Sequence, residues 1–255
     1  MNAALVAQGV QKNFGAVAAA ADLYVAIERD SIVGLIGANG AGKTTFLNMV
    51  TGYLRPDAGT IKFEAYDLTR LTPRRITQLG VSRSFQIPQL FGTLSARENL
   101  LIAVGIVAAA AQRWAHGALT PAGAAAATDE VLERFGLAAY RDRPAGILPE
   151  GVRKLLDVAM AMVVKPRILL LDEPTSGVSA DEKYAIMEIV MGAVRGAGVT
   201  VLFVEHDMDI VARYAGRVLA FAAGRIIADG TPEAVLNDAG VRQQVIGEEP
   251  AHAAS

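Results

Sequence analysis

The chain has 255 residues, a formal net charge of −2 and no cysteine. This excludes disulfides, iron–sulfur clusters and cysteine-ligated zinc, and it leaves no basic field of the kind that holds nucleic acid, so no nucleic-acid partner is expected. Its 3 histidines, His116, His206 and His252, are too scattered for a histidine metal site, and the length suits one large α/β domain or two small ones.

Residues 1–10 lack the basic region and cleavage pattern of a signal peptide, so none is expected. Residues 5–10 and 23–27 are predicted to be short strands on either side of Phe14-Gly15. Ser31-Ile32-Val33-Gly34-Leu35-Ile36 predicts a buried strand, and residues 44–50 predict a helix ended by Gly52. Between them stands Gly37-Ala38-Asn39-Gly40-Ala41-Gly42-Lys43-Thr44-Thr45. Strand, G-x-x-x-x-G-K-T, helix is the context of a phosphate loop, hence of a nucleotide site. The glycines let successive N–H groups converge on phosphate oxygens, and the helix start adds donors and the positive end of a dipole. Lys43 is expected at the β- and γ-phosphates and the Thr44 hydroxyl on Mg²⁺.

Arg55-Pro56-Asp57-Ala58-Gly59 predicts a turn before a strand over residues 60–63. Thr72-Pro73 predicts a helix through Leu79, closed by Gly80. From about residue 88 to 165 the pattern is mainly helical, with candidate helices over 95–111, 128–135 and 150–164. The alanine-rich residues 114–127 are either an arm of a helical insertion or a linker. The longest apolar run, residues 100–111, covers 12 positions, against about 20 for a membrane-spanning helix, so the chain is not expected to cross a bilayer by itself. A hydrophobic content of 52% is high for a soluble domain, and part of that surface is expected to face a partner.

Strand and helix then alternate again. Residues 168–171 predict a strand, Ser179-Ala180-Asp181-Glu182 a capping box opening the next helix, and residues 200–204 a second buried strand. Residues 217–229 predict a hairpin around Ala222-Ala223-Gly224, and Thr231-Pro232-Glu233 caps a short helix. Strands alternating with helices around a phosphate loop imply a parallel sheet covered on both faces.

Two strand ends carry chemistry. Ile168-Leu169-Leu170-Leu171 delivers Asp172 and Glu173 at its carboxyl end, where ligands sit in open α/β sheets. Asp172 is expected to hold Mg²⁺ through water, and Glu173, facing the other way by strand alternation, to act as base toward the attacking water. The strand over residues 200–204 delivers Glu205-His206-Asp207, and His206 is a candidate to sense or stabilise the γ-phosphate.

The order Gly37 to Thr44, Gln86, Leu148 to Val152, Asp172-Glu173 and His206 resembles the ATP-binding subunit of ABC transporters along essentially the whole chain. The resemblance implies an α/β fold: a RecA-like P-loop NTPase core with an antiparallel β subdomain, over residues 1–87 and 165–255, and an α-helical subdomain inserted at 88–164. It implies that Phe14 stacks on adenine, that Gln86 in Ser84-Phe85-Gln86 ligates Mg²⁺ and joins the core to the helical lobe, and that Ser176-Gly177-Val178-Ser179 is the D-loop. Phe14 as a core residue is the alternative. The family pairs two cassettes head to tail with two ATPs at the interface, on permease subunits at the cytoplasmic face of the inner membrane.

Asn39-Gly40-Ala41-Gly42-Lys43-Thr44-Thr45, Ser84-Phe85-Gln86, Glu205-His206-Asp207-Met208, Ala228-Asp229-Gly230-Thr231-Pro232 and the ending Val241 to Glu249, with Ile246-Gly247-Glu248, are similar to branched-chain amino acid importers, which also work with a periplasmic-type binding protein. The lipopolysaccharide-export cassette ends similarly. Two departures matter. The family signature L-S-G-G-Q is here Leu148-Pro149-Glu150-Gly151-Val152, which keeps Gly151 and a helix start but loses the serine hydroxyl and the glutamine. The D-loop acid or amide is Ser179, equally the N-cap of the next helix. The expectation is an ATP-hydrolysing motor, and its rival is a nucleotide switch whose partner hydrolyses.

Overall fold

The computed structural model describes residues 3–115 and 121–247. In chain order these form β1 (Ala3–Phe14), β2 (Val17–Glu28), β3 (Ile32–Gly37), α1 (Lys43–Val50), β4 (Ala58–Phe63), β5 (Tyr66–Asp67), α2 (Pro73–Leu79) and β6 (Val81–Ser84). Then come α3 (Ala96–Ala115), α4 (Pro121–Arg134), α5 (Glu150–Val163), β7 (Ile168–Asp172) and α6 (Ala180–Val194). The chain continues through β8 (Thr200–Val204), α7 (Met208–Tyr214), β9 (Arg217–Ala222), β10 (Arg225–Gly230) and α8 (Pro232–Leu236). Two compact units result, residues 1–76 with 200–255, and residues 77–199.

The first unit holds two sheets. In the antiparallel one, β1 lies between β2 and β4, and β5 pairs with β4. The alternation of β2 is the cause of its one-sided burial: Leu23, Val25 and Ile27 are buried while Tyr24, Ala26 and Glu28 face out. In the other sheet β3 lies parallel between β8 and β9, and β10 closes the edge antiparallel to β9. All five residues of β8 and all of β3 after Ile32 are buried, as expected for parallel strands covered on both faces. At Gly34 a Cβ would stand 3.1 Å from Val211 and 3.3 Å from Ala215, so this glycine lets α7 close on β3.

In the second unit β6 and β7 pair in parallel. Helix α5 buries Leu155, Leu156, Val158, Ala159 and Met162, the spacing of one apolar face. Helix α6 opens with the expected box, Glu182 Oε2 accepting from Ser179 N–H at 3.1 Å and from its hydroxyl at 2.7 Å. No helix among the described residues is long and apolar enough to cross a membrane.

Several boundaries move. Helix α3 runs on to Ala115 and α4 begins at Pro121, so the alanine-rich stretch is helical on both sides, as the high helix propensity of alanine and a proline at the first helical position dictate. Residues 116–120, and Glu248 and Glu249 of the expected C-terminal motif, lie outside the described residues. Strand β6 has the sequence Val-Ser-Arg-Ser, without an apolar run, yet buries both serines. Helix α7 was hidden in the motif around His206; its cap is Asp207, which accepts from the N–H groups of Asp209 and Ile210.

Candidate functional site

In the first unit the loop after β3 bends through Gly37, Gly40 and Gly42, with φ of 153°, 80° and 108°, a region that favours glycine. A Cβ at Gly42 would fall 2.4 Å from the Ala19 carbonyl oxygen, whereas Gly40 has open space around it. Ala38, Asn39 and Gly40 are exposed, Ala41 is buried, and Lys43 is buried beneath them, its Nζ donating to the carbonyls of Gly37 and, at 3.0 Å, Ala38. Helix α1 starts at Lys43, with Thr44 exposed and Thr45 half-buried. An exposed rim at a helix N-terminus over a buried ammonium fits a polyphosphate.

Phe14 ends β1 and is 53% exposed, so it is no core residue; Lys12 Nζ sits 5.7 Å from its ring centroid and pairs with Asp57 at 2.6 Å. His206 is exposed just beyond β8, the parallel neighbour of β3, so His206 and the phosphate loop emerge at the same strand ends. Its N–H lies 3.3 Å from Oε2 of the buried Glu205.

In the second unit Asp172 ends β7, buried, and pairs at 2.5 Å with Arg83 of β6, equally buried. Strand alternation does not orient Glu173, because β7 stops at Asp172 and Glu173 takes φ of 51°. That left-handed backbone costs about 1–2 kcal/mol in a residue with a Cβ. Gln86 Nε2 donates to Glu173 Oε2 at 2.7 Å, so the structure brings these two expected site residues together. The oxygen donors suit a hard cation. Asp172 and Glu173 put two carboxylates beside the Gln86 amide, the kind of oxygen donor that Mg²⁺ takes together with phosphates and waters.

Three polar side chains of this unit escaped the sequence reading. Lys154 of α5, buried, donates to the Glu173 carbonyl at 2.9 Å and to Ser176 Oγ at 2.8 Å. Asp157, one turn on, accepts from Phe85 N–H at 2.9 Å and Gln89 N–H at 3.0 Å, clasping the loop that carries Gln86. Burial pushes the Asp157 carboxyl up, against those two N–H bonds and the charge of Lys154, which hold it down. Arg83 is the third. The available signal was two charges three apart inside the apolar run of α5. Pro149 is the N-cap position of α5 without a side-chain bond. Gly151 is buried, and a Cβ there would meet the end of the Ile186 side chain of α6 at 3.1 Å, so the glycine also allows close packing of the two helices.

The family model described as ABC transporter matches residues 20–176. The chain is 34% identical over 255 residues to "High-affinity branched-chain amino acid transport ATP-binding protein LivG" of Salmonella typhimurium, covering 96% of this chain and 98% of that protein. It is 32% identical over 245 residues to "Lipopolysaccharide export system ATP-binding protein LptB" of Haemophilus influenzae, covering 96% and 98%. Among solved structures, the ADP conformation of MJ1267, an ATP-binding cassette of an ABC transporter, superposes with a TM-score of 0.82 at 29% identity, over 97% of this chain and 100% of that one. The phosphate loop, the acidic end of β7 and this likeness along the full length agree: the chain belongs to the ABC transporter family, as one of its ATP-binding subunits.

Proposed function

We propose that this chain hydrolyses ATP as the motor subunit of a transporter importing branched-chain or related amino acids. The observation that carries the ATPase reading is the 2.7 Å bond from Gln86 to Glu173, which holds a carboxylate at the end of an apolar strand, where a general base belongs. The identity to LivG supports the substrate class. In this reading Phe14 stacks on adenine, and Gly37 to Thr45 with Lys43 cradle the phosphates. Thr44, Gln86 and Asp172 hold Mg²⁺, which when bound offsets phosphate charge. Glu173 takes a proton from the attacking water and His206 holds the γ-phosphate. Gly151, at the start of α5, serves the nucleotide of a second cassette. The partners are that cassette, permease subunits and, through the complex, a periplasmic-type binding protein; the place is the cytoplasmic membrane face. Residues 88–164 form the helical subdomain that moves against the permeases.

Pro149 and Val152 favour a second reading, a nucleotide switch whose partner cassette hydrolyses, because Pro149 has no hydroxyl to offer a γ-phosphate. Glu173→Gln separates the two. As a motor, the assembled transporter loses about 10²–10⁴ in hydrolysis while Mg·ATP still binds and a closed dimer accumulates on sizing. As a switch, hydrolysis survives the substitution unchanged. The identity to LptB supports export as a further assignment; loss of labelled leucine uptake in cells lacking this chain would speak for import.

A further inference from the structure

The main chain at Glu173 is held in an unfavourable place. It is left-handed at φ 51° and it precedes Pro174, which further restricts the residue before it. Such a conformation persists only where its surroundings over-determine it. Here the Glu173 carbonyl accepts from Ser176 N–H at 3.2 Å, from Ser176 Oγ at 3.1 Å and from Lys154 Nζ at 2.9 Å. The same ammonium donates to Ser176 Oγ at 2.8 Å and lies 3.5 Å from the carbonyl of Gln86. Lys154 is 4% exposed; these three acceptors are neutral oxygens, and the Asp157 carboxylate one turn away feels its charge. Burying an ammonium is costly unless it is fully bonded. Its bonds to the Glu173 carbonyl and to Ser176 Oγ hold the turn that aims Glu173, and the Gln86 carbonyl belongs to the residue facing Glu173.

We propose that Lys154 is the positioning residue of Glu173: its ammonium clamps the Glu173 carbonyl and Ser176 Oγ, and so aims the carboxylate at Gln86. The Lys154 bond reaches the main-chain carbonyl of Glu173, which takes no part in the proton transfer. This rests on the reading of Glu173 as general base. It also gives α5 a second task, since Lys154 lies one turn inside the helix that Pro149 and Gly151 open.

The test is a double-mutant cycle of Lys154→Met and Glu173→Gln in the full chain within its transporter. The readouts are ATP turnover, KM, affinity for fluorescent ATP analogue without Mg²⁺, and amide exchange of the segments around residues 85–90 and 170–178. The expected result is a 10- to 100-fold lower kcat for Lys154→Met, KM and analogue affinity within about 2-fold of wild type, and faster exchange in both segments. Lys154→Arg, which keeps donors, should restore part of the rate. In the Glu173→Gln background Lys154→Met should cost nothing more, because the group it aims is gone; a purely structural lysine would lose the same factor in both backgrounds. Wild-type kcat in Lys154→Met, or an equal further loss beside Glu173→Gln, overturns the proposal. If Lys154→Met fails to fold, Ser176→Ala takes its place, with a 2- to 10-fold loss expected alone and none beside Glu173→Gln; an additive loss again overturns it. Failure of the general-base reading is seen separately, as unchanged turnover in Glu173→Gln alone.

Discussion

The side-chain amide of Gln86 donates to Oε2 of Glu173 across 2.7 Å, although 87 residues separate them in the chain. A hydrogen bond to an ionised group is worth about 1.5–3 kcal/mol. Gln86→Ala is therefore expected to lower ATP turnover about 10- to 150-fold, with analogue binding in the absence of Mg²⁺ retained. Turnover and Mg²⁺-free binding measured on the same preparation check this; equal losses in both would place Gln86 in binding instead.

Phe14 offers more than half of its surface to solvent at the end of β1. Phe14→Ala is expected to weaken ATP about 5- to 150-fold, the value of one base–aromatic stack, and to leave the melting temperature without nucleotide unchanged. Calorimetric titration and a melting curve check both halves. A lower melting temperature with normal affinity would overturn the stacking role of Phe14.

Gly40 and Gly42 have positive φ but different neighbours. At Gly40 a methyl group meets nothing within 4 Å, so Gly40→Ala should cost only the backbone strain, about 1–2 kcal/mol. At Gly42 the methyl group would lie 2.4 Å from the Ala19 carbonyl oxygen, and the loop or β2 must shift. Gly42→Ala is expected to lower the melting temperature more than Gly40→Ala and to abolish measurable nucleotide binding. Parallel melting and titration of the two variants check the ranking.

Ser179 and Glu182 close the N-terminus of α6. Ser179→Ala is expected to lower the melting temperature by about 2–4 °C at neutral pH. The Ser179 hydroxyl and N–H hold the Glu182 carboxyl below its ordinary value of 4.5. A lowered folded-state value means stability present above the unfolded value and lost as pH falls through the folded one. The stability difference between wild type and Glu182→Gln should therefore be constant near neutrality, shrink below about pH 4.5, and vanish once Glu182 is protonated in the fold. Denaturant midpoints of the pair from pH 7 to 3 check it.

What the sequence determined by itself is the part of the protein whose causes lie within a few residues. Gly37 to Thr45 declared the phosphate loop because bending, donors and charge come from contiguous residues. Ser179 and Glu182 declared a helix start because a capping box spans one turn, and the apolar run before Asp172 declared its strand. The tertiary structure decided the rest. Arg83 meets Asp172 across 89 positions and Phe85 N–H meets Asp157 across 72, pairings no local period encodes. The strand Val-Ser-Arg-Ser lies against β7, and its arginine pairs there with Asp172. Glu173 owes its direction to a left-handed backbone that Lys154, from helix α5, holds by its carbonyl. The stability of a buried charge depends on which polar groups distant segments bring to it, so the place of Glu173 after an apolar strand was local while its orientation was a property of the fold.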